Sequence, residues 1–178
     1  MPRLKVVTPE QATGATKDIY DDLQKKAGKV ISIFQGMGNS PAALNAYLSM
    51  SSALKRGQLS PQDREAIYLA VSEQNGCNYC VAAHVQIAKG AGMSEQDITA
   101  IRKLQPTEAK HQALIKFVTK VMETKGFVED DDIQAVKDAG YNDGQIAETI
   151  AFIGLATYSN LFNHVYGTPL DFPEPPAI

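Results

Sequence analysis

The segment that decides the fold reads Leu59-Ser60-Pro61-Gln62-Asp63-Arg64-Glu65-Ala66-Ile67-Tyr68-Leu69-Ala70-Val71-Ser72-Glu73-Gln74-Asn75-Gly76-Cys77-Asn78-Tyr79-Cys80-Val81-Ala82-Ala83-His84. It spells helix, stop, helix. Ser60 supplies a capping oxygen, Pro61 takes the first helical position, and Asp63 sits well for the positive helix end. Ile67, Leu69, Ala70 and Val71 give this helix a buried side, and Asn75-Gly76 stops it. A second helix starts around Cys77 to Tyr79 and continues to Lys89, where Gly90 and Gly92 end it.

The same punctuation recurs on both sides. Toward the N-terminus, Thr8-Pro9-Glu10 reads as a cap followed by a first-position proline, opening a helix to about Ala27 with Gly14 as its weak point. Gly28 to Asn39 reads as a connector, although Val30, Ile31, Ile33 and Phe34 must pack somewhere. Ser40-Pro41 opens a helix carrying Leu44, Tyr47, Leu48 and Leu54 as far as Gly57. Toward the C-terminus, Ser94 starts a short helix with Ile98, Ile101 and Leu104, and Thr107 caps a longer one that Gly126 closes. Acidic residues from Glu129 to Asp132 start a helix that ends at Gly140, and Asn142 caps the last, running to about Tyr166. Pro169, Pro173, Pro175 and Pro176 make the tail extended. No alternating strand pattern with hairpin turns is present. The expectation is an all-α helical bundle of about seven to eight helices, forming one domain over residues 1–178.

Composition removes several function classes. The chain has 178 residues, is 44% hydrophobic and 21% charged, and carries a formal net charge of -3. Such a balance lacks the basic face of a nucleic-acid binder. The N-terminus has no apolar run that resembles a signal peptide, and no stretch approaches the roughly 18 apolar residues of a membrane span. The most apolar segment, Ile146 to Leu161, contains Glu148, Thr149, Ser159 and Asn160, so it reads as a buried helix. The expected location is cytoplasmic, with no membrane partner. Thiols are kept reduced there, and a close cysteine pair is more often catalytic or metal-binding than structural.

Cys77 and Cys80 are the only cysteines, and His84 follows Cys80 by four residues. On a helix, positions 77, 80 and 84 share one stripe. The break at Asn75-Gly76 puts both sulfurs in the first helical turn. Unpaired amides and the positive helix end there favour a thiolate, whose pKa can fall well below about 8.5. The spacing also lets the sulfurs meet in a disulfide. His84 can move a proton near neutral pH. Glu65, on the preceding helix, can approach the start of the cysteine helix if the two pack antiparallel, and there orient His84 or relay protons. Tyr79 can cover the core, and His164 near the end of the last helix can line the site. Against redox chemistry stands a structural zinc site, but zinc wants four ligands, and His111 and His164 would have to converge from distant helices. No metal or other cofactor is expected.

Glu65, the Cys77-Asn78-Tyr79-Cys80 run and His84 together resemble the alkylhydroperoxidase D-like branch of the carboxymuconolactone decarboxylase superfamily. Ser40-Pro41-Ala42-Ala43-Leu44, Leu59-Ser60-Pro61-Gln62-Asp63-Arg64-Glu65 and Ala82-Ala83-His84 carry the same resemblance, which is sharpest from Ser40 to Met93. It implies a helical fold assembled as a homo-oligomer, a trimer or a hexamer. It also implies peroxidase or disulfide-reductase chemistry in antioxidant defence, with a hydroperoxide substrate and a thiol or dithiol electron-donor protein. By the resemblance Cys80 attacks the peroxide, Cys77 resolves the sulfenic acid, and Glu65 with His84 relays protons. The helix-start argument can equally favour Cys77 as the more exposed, attacking sulfur. The best-known members of the family carry histidine where this chain has Tyr79, and tyrosine does not titrate near neutrality. The competing readings are a non-redox decarboxylase-like enzyme and a redox-sensing binding module. Apolar residues on more than one side of several helices, the last above all, independently favour a homo-oligomer.

Overall fold

The computed structural model describes residues 1–178 and contains nine α-helices and no strand. In chain order they are α1 Gly14–Ala27, α2 Ser32–Met37, α3 Pro41–Leu54, α4 Pro61–Gln74, α5 Asn78–Gly90, α6 Glu95–Arg102, α7 Ala109–Thr124, α8 Asp130–Asp138 and α9 Asp143–Tyr166. Several caps form as their residues dictate. Ser40, Ser60, Ser94 and Asn142 each accept a hydrogen bond from the backbone N–H three residues on.

Three sequence expectations need correction. Thr8-Pro9 does not open α1. Residues 8–12 instead form a turn closed by Gln11 and Ala12 N–H to the Thr8 carbonyl. Gly14 has φ +53°, which an α-helix cannot pass through, so the helix can begin only there. The segment read as a connector contains α2, which brings the number of helices to nine. Its Ile33 and Met37 are buried, which is where the apolar side chains of that stretch go. Thr107 does not cap α7. Glu108 occupies the cap position and makes no side-chain cap bond.

α4 is the centre of the molecule, packed by α5, α6, α7 and α9. Ala66, Ile67, Leu69, Ala70 and Val71 are all sealed from solvent, so this helix is buried nearly all round rather than along one stripe. One apolar cluster surrounds it with Ile101, Leu114, Val118, Phe152 and Leu155. A second, smaller cluster joins Tyr20, Val30, Ile33, Met37 and Leu44 to Cys77, Tyr79 and Cys80. The cysteine pair therefore lies among apolar side chains from α1 to α3. No helix is long and apolar enough to cross a membrane.

Candidate active site

Gly76, at φ +65°, makes the turn between α4 and α5. The helices run back along each other: Gln62 at the start of α4 donates to the Ala91 carbonyl at the end of α5, 2.9 Å away. Glu65 lies ten residues before Asn75, about 15 Å along the helix. It therefore meets the middle of α5 and not its start, which corrects the approach expected from sequence. Its partner is His84, whose Nδ1–H donates to Glu65 Oε2 at 2.7 Å, with both side chains largely buried.

An ionised carboxylate can only accept, so this bond leaves the lone pair of His84 on Nε2. The ring of Tyr68 stacks on the imidazole with centroids 4.0 Å apart, and Phe152 meets Tyr68 edge-on. The imidazole is thus fixed in tautomer by Glu65 and in orientation by Tyr68. Burial drives the Tyr68 pKa far up, with Tyr47 and Glu65 adding to it, and burial followed by Glu65 pushes Tyr47 up to about 12. Both phenols stay protonated at neutral pH and can donate but not act as bases. A cleft of about 350 Å³ opens beside the pair, lined by Lys55, Arg64, Glu65, Tyr68, Ile87 and Phe152.

Cys77 is the cap residue of α5 and Cys80 stands in its first turn, as the Asn75-Gly76 stop predicts. The two are joined as a disulfide, with Cα atoms 5.3 Å apart. The Cys80 N–H donates to Cys77 Sγ at 3.3 Å, so the helix start does address a sulfur. Cys77 is only 1% exposed and Cys80 3%, so Cys77 is not the more exposed of the two. The physical reason is the second apolar cluster, which encloses the cap of α5.

Tyr79, between the cysteines, does more than cover the core. Its hydroxyl donates to Asp171 in the tail at 2.5 Å, and Phe172 packs edge-on against its ring. Asp171 also accepts from the N–H and hydroxyl of Ser32 at 2.8 and 2.9 Å. Burial, followed by the Asp171 carboxylate, pushes the Tyr79 pKa far up, so this position carries no titrating group near neutrality.

His164 is exposed and stands apart from the cysteines. Its neighbour Asn163 is the buried one, because adjacent helical residues point about 100° apart. Asn163 Nδ2 lies 3.2 Å from Cys80 Sγ and 3.9 Å from Cys77 Sγ. Sequence reading missed Asn163. The available signal was its i, i+3 relation to Asn160, which shares a network with Ser72 and Asn75 beside the α4–α5 turn. His111 belongs to a separate cluster with Asp63 and Glu108 and does not converge on the cysteines. No three His, Cys, Asp or Glu side chains are grouped to hold a metal ion.

Residues 41–114 match the model of the carboxymuconolactone decarboxylase family. Over 76 residues the chain is 34% identical to an alkyl hydroperoxide reductase AhpD of Solibacter usitatus, a match that spans 42% of each protein. Over nearly its whole length the fold superposes on an uncharacterized peroxidase-related protein with an alkylhydroperoxidase AhpD core from Ralstonia eutropha. That likeness has a TM-score of 0.86 and 24% identity, covering 96% of this chain and 92% of the other. It also superposes on the C82A variant of the debrominase Bmp8 in complex with 2,3,4-tribromopyrrole, with a TM-score of 0.77, 15% identity, and 96% and 94% of the two chains covered. The fold therefore does not by itself select a substrate. The segment that holds the motif thus matches the carboxymuconolactone decarboxylase family, and the fold as a whole is the one seen in alkylhydroperoxidase D-like proteins.

Proposed function

We propose that this protein is a thiol-dependent peroxidase that reduces hydroperoxides through Cys77 and Cys80, with Glu65 and His84 moving protons. The observation that carries this reading is the combination on α5 of a redox-capable cysteine pair in the first turn and, one turn further on the same stripe, a histidine held by a buried carboxylate.

In the reduced protein His84 Nε2 takes the thiol proton of Cys80, directly or through water, and Glu65 stabilises the imidazolium that results. The Cys80 thiolate attacks one peroxide oxygen. The O–O bond breaks, the proton held by His84 goes to the departing alkoxide, and the products are an alcohol and a sulfenic acid on Cys80. The Cys77 thiolate, favoured by the Cys80 N–H, then attacks the Cys80 sulfur. The hydroxyl of the sulfenic acid takes up the proton lost by the Cys77 thiol and leaves as water, and the Cys77–Cys80 disulfide remains. Two electrons and two protons from an external thiol or dithiol protein restore the pair. The half-apolar cleft beside Glu65 is the entry for an organic hydroperoxide. We further propose that the working form is a homo-oligomer, a trimer or hexamer, in a compartment where that donor is kept reduced.

Turnover of an organic hydroperoxide with excess dithiothreitol tests the reading. Cys80→Ser should fall to the uncatalysed rate, and full activity in that variant would sink the proposal. Activity that survives replacement of both cysteines would point instead to a decarboxylase-like reaction on the same scaffold.

A further inference from the structure

The sulfur of Cys80 faces a hydrogen-bond donor that the proton relay does not use. Asn163 lies on the inner side of α9, 5% exposed, with its Nδ2 3.2 Å from Cys80 Sγ. A carboxamide can turn over and present oxygen where nitrogen stood. Here the sulfur decides: a disulfide or thiolate sulfur has no proton to give, so the N–H end faces it, and the Thr168 hydroxyl donates to Asn163 Oδ1 at 2.6 Å. Thr168 comes back to Asn163 because the chain turns sharply at Gly167, whose φ is +68°. The N–H groups of Gly167 and Thr168 close that turn on the Asn163 carbonyl, at 2.9 and 3.3 Å. The end of α9 thus holds an N–H donor close to Cys80 Sγ, with Cys77 Sγ more distant at 3.9 Å. Cys77 has its own donor in the Cys80 N–H, whereas Asn163 Nδ2 is the side-chain donor that reaches Cys80 Sγ.

We infer that Asn163, oriented by Thr168, is the group that stabilises the Cys80 thiolate, both as the nucleophile toward peroxide and as the leaving group when the disulfide is reduced. The inference rests on the peroxidase reading for its purpose, but not for its physics. A disulfide sulfur is a weak acceptor, and a thiolate a strong one, so this bond strengthens as negative charge arrives on Cys80. It acts where the helix-start amides serve Cys77 instead, and it gives Cys80 a lowered pKa in an apolar setting that would otherwise raise it.

The test is the pH dependence of iodoacetamide alkylation of the 178-residue chain, reduced, with Cys77→Ser leaving Cys80 as the one thiol. Asn163→Ala should raise the Cys80 pKa by about one unit, slowing alkylation about tenfold on the acid side. Asn163→Asp, of nearly the same size, should raise it further, because a carboxylate repels the thiolate; a purely packing role predicts no such difference. Thr168→Val, which keeps Asn163 but frees its amide, should give a smaller rise in the same direction. This variant also decides the matter if changes at Asn163 prevent folding. In a Cys80→Ser background, Asn163→Ala should move Cys77 less than it moves Cys80. A Cys80 pKa unchanged in all of these variants, or an equal shift at both cysteines, overturns the assignment. Failure of hydroperoxide to oxidise the unaltered protein would remove the peroxidase reading and leave the pKa shift intact, so the two failures are separable.

Discussion

At the scale of single residues, two histidines show how a carboxylate partner gives opposite roles. His84 is held by Glu65, which lines a cleft, and its second nitrogen is uncommitted. On the proposed mechanism Glu65→Gln keeps a hydrogen-bond partner for Nδ1 but no longer supports the imidazolium. Peroxide turnover should fall roughly a hundredfold, the low end for loss of general-base function, and His84→Gln should fall at least as far. Steady-state rates at saturating dithiothreitol check both, and activity within twofold of the unaltered protein would remove the relay. His111, by contrast, has both nitrogens engaged, by Asp63 at 3.4 Å and Glu108 at 2.9 Å. Asp63 is buried and also accepts from the Tyr141 hydroxyl at 2.6 Å and from Ser60. Burial alone would raise the Asp63 pKa, but His111, Tyr141 and Ser60 together hold it well below the carboxylate range. Asp63, followed against burial by Glu108, raises the His111 pKa. A raised folded-state histidine pKa contributes stability that is complete below the unfolded value and fades as pH rises through the folded one. His111→Gln should therefore cost more stability at about pH 5.5 than at about pH 8.5. Urea unfolding at both values reads this out, and an equal cost at both would mean that the ion pair is not what His111 contributes.

At the scale of elements, the sequence declared its helices wherever a side chain does the capping, and misdirected where backbone geometry decides. Ser60-Pro61 with Asp63 marks the start of α4, and Ser40-Pro41 that of α3. Thr8-Pro9 has the same form yet opens a turn, because the positive φ at Gly14, the first residue of α1, stops a helix from running through from upstream. α2 escaped notice because six residues flanked by glycines show too little periodicity, although Ile33 and Met37 are fully engaged. Glu65 and His84 were legible as candidates, and the antiparallel packing of α4 on α5 brings them together. The tail contacts were not, since nothing in Pro169 to Ile178 marks Asp171 as the partner of Tyr79 and Ser32. The tail acts as a strap across the cysteine helix. Asp171→Ala removes three hydrogen bonds to Tyr79 and Ser32 and should lower stability by about 1–3 kcal/mol. It should also speed reduction of the buried disulfide by dithiothreitol. Stopped-flow thiol release checks the rate, and an unchanged rate would show that the strap does not limit access.

At the scale of the whole molecule, α4 and α9 divide the labour. α4 is enclosed and carries Glu65 and Tyr68 into the cleft, while α9 turns Asn160 and Asn163 inward and leaves Ile150, Tyr158, Leu161 and Val165 exposed along its outer side. The apolar character of α9 on more than one side was legible in the sequence, and these exposed residues form one stripe at helical spacing. On the proposal of a homo-oligomer this stripe is where copies meet. Leu161→Glu combined with Val165→Glu should shift the sedimentation coefficient toward a monomer with the helical circular dichroism retained. A monomeric unaltered protein would contradict the proposal outright.

The central claim is that Cys77 and Cys80 are a reversible redox couple driven by hydroperoxide. It is tested most directly by counting free thiols in the reduced protein before and after one equivalent of an organic hydroperoxide, with the intact mass measured alongside. The account predicts that both thiols vanish together, that the mass falls by two hydrogens, and that a dithiol restores both. Two thiols that persist after peroxide treatment would contradict it.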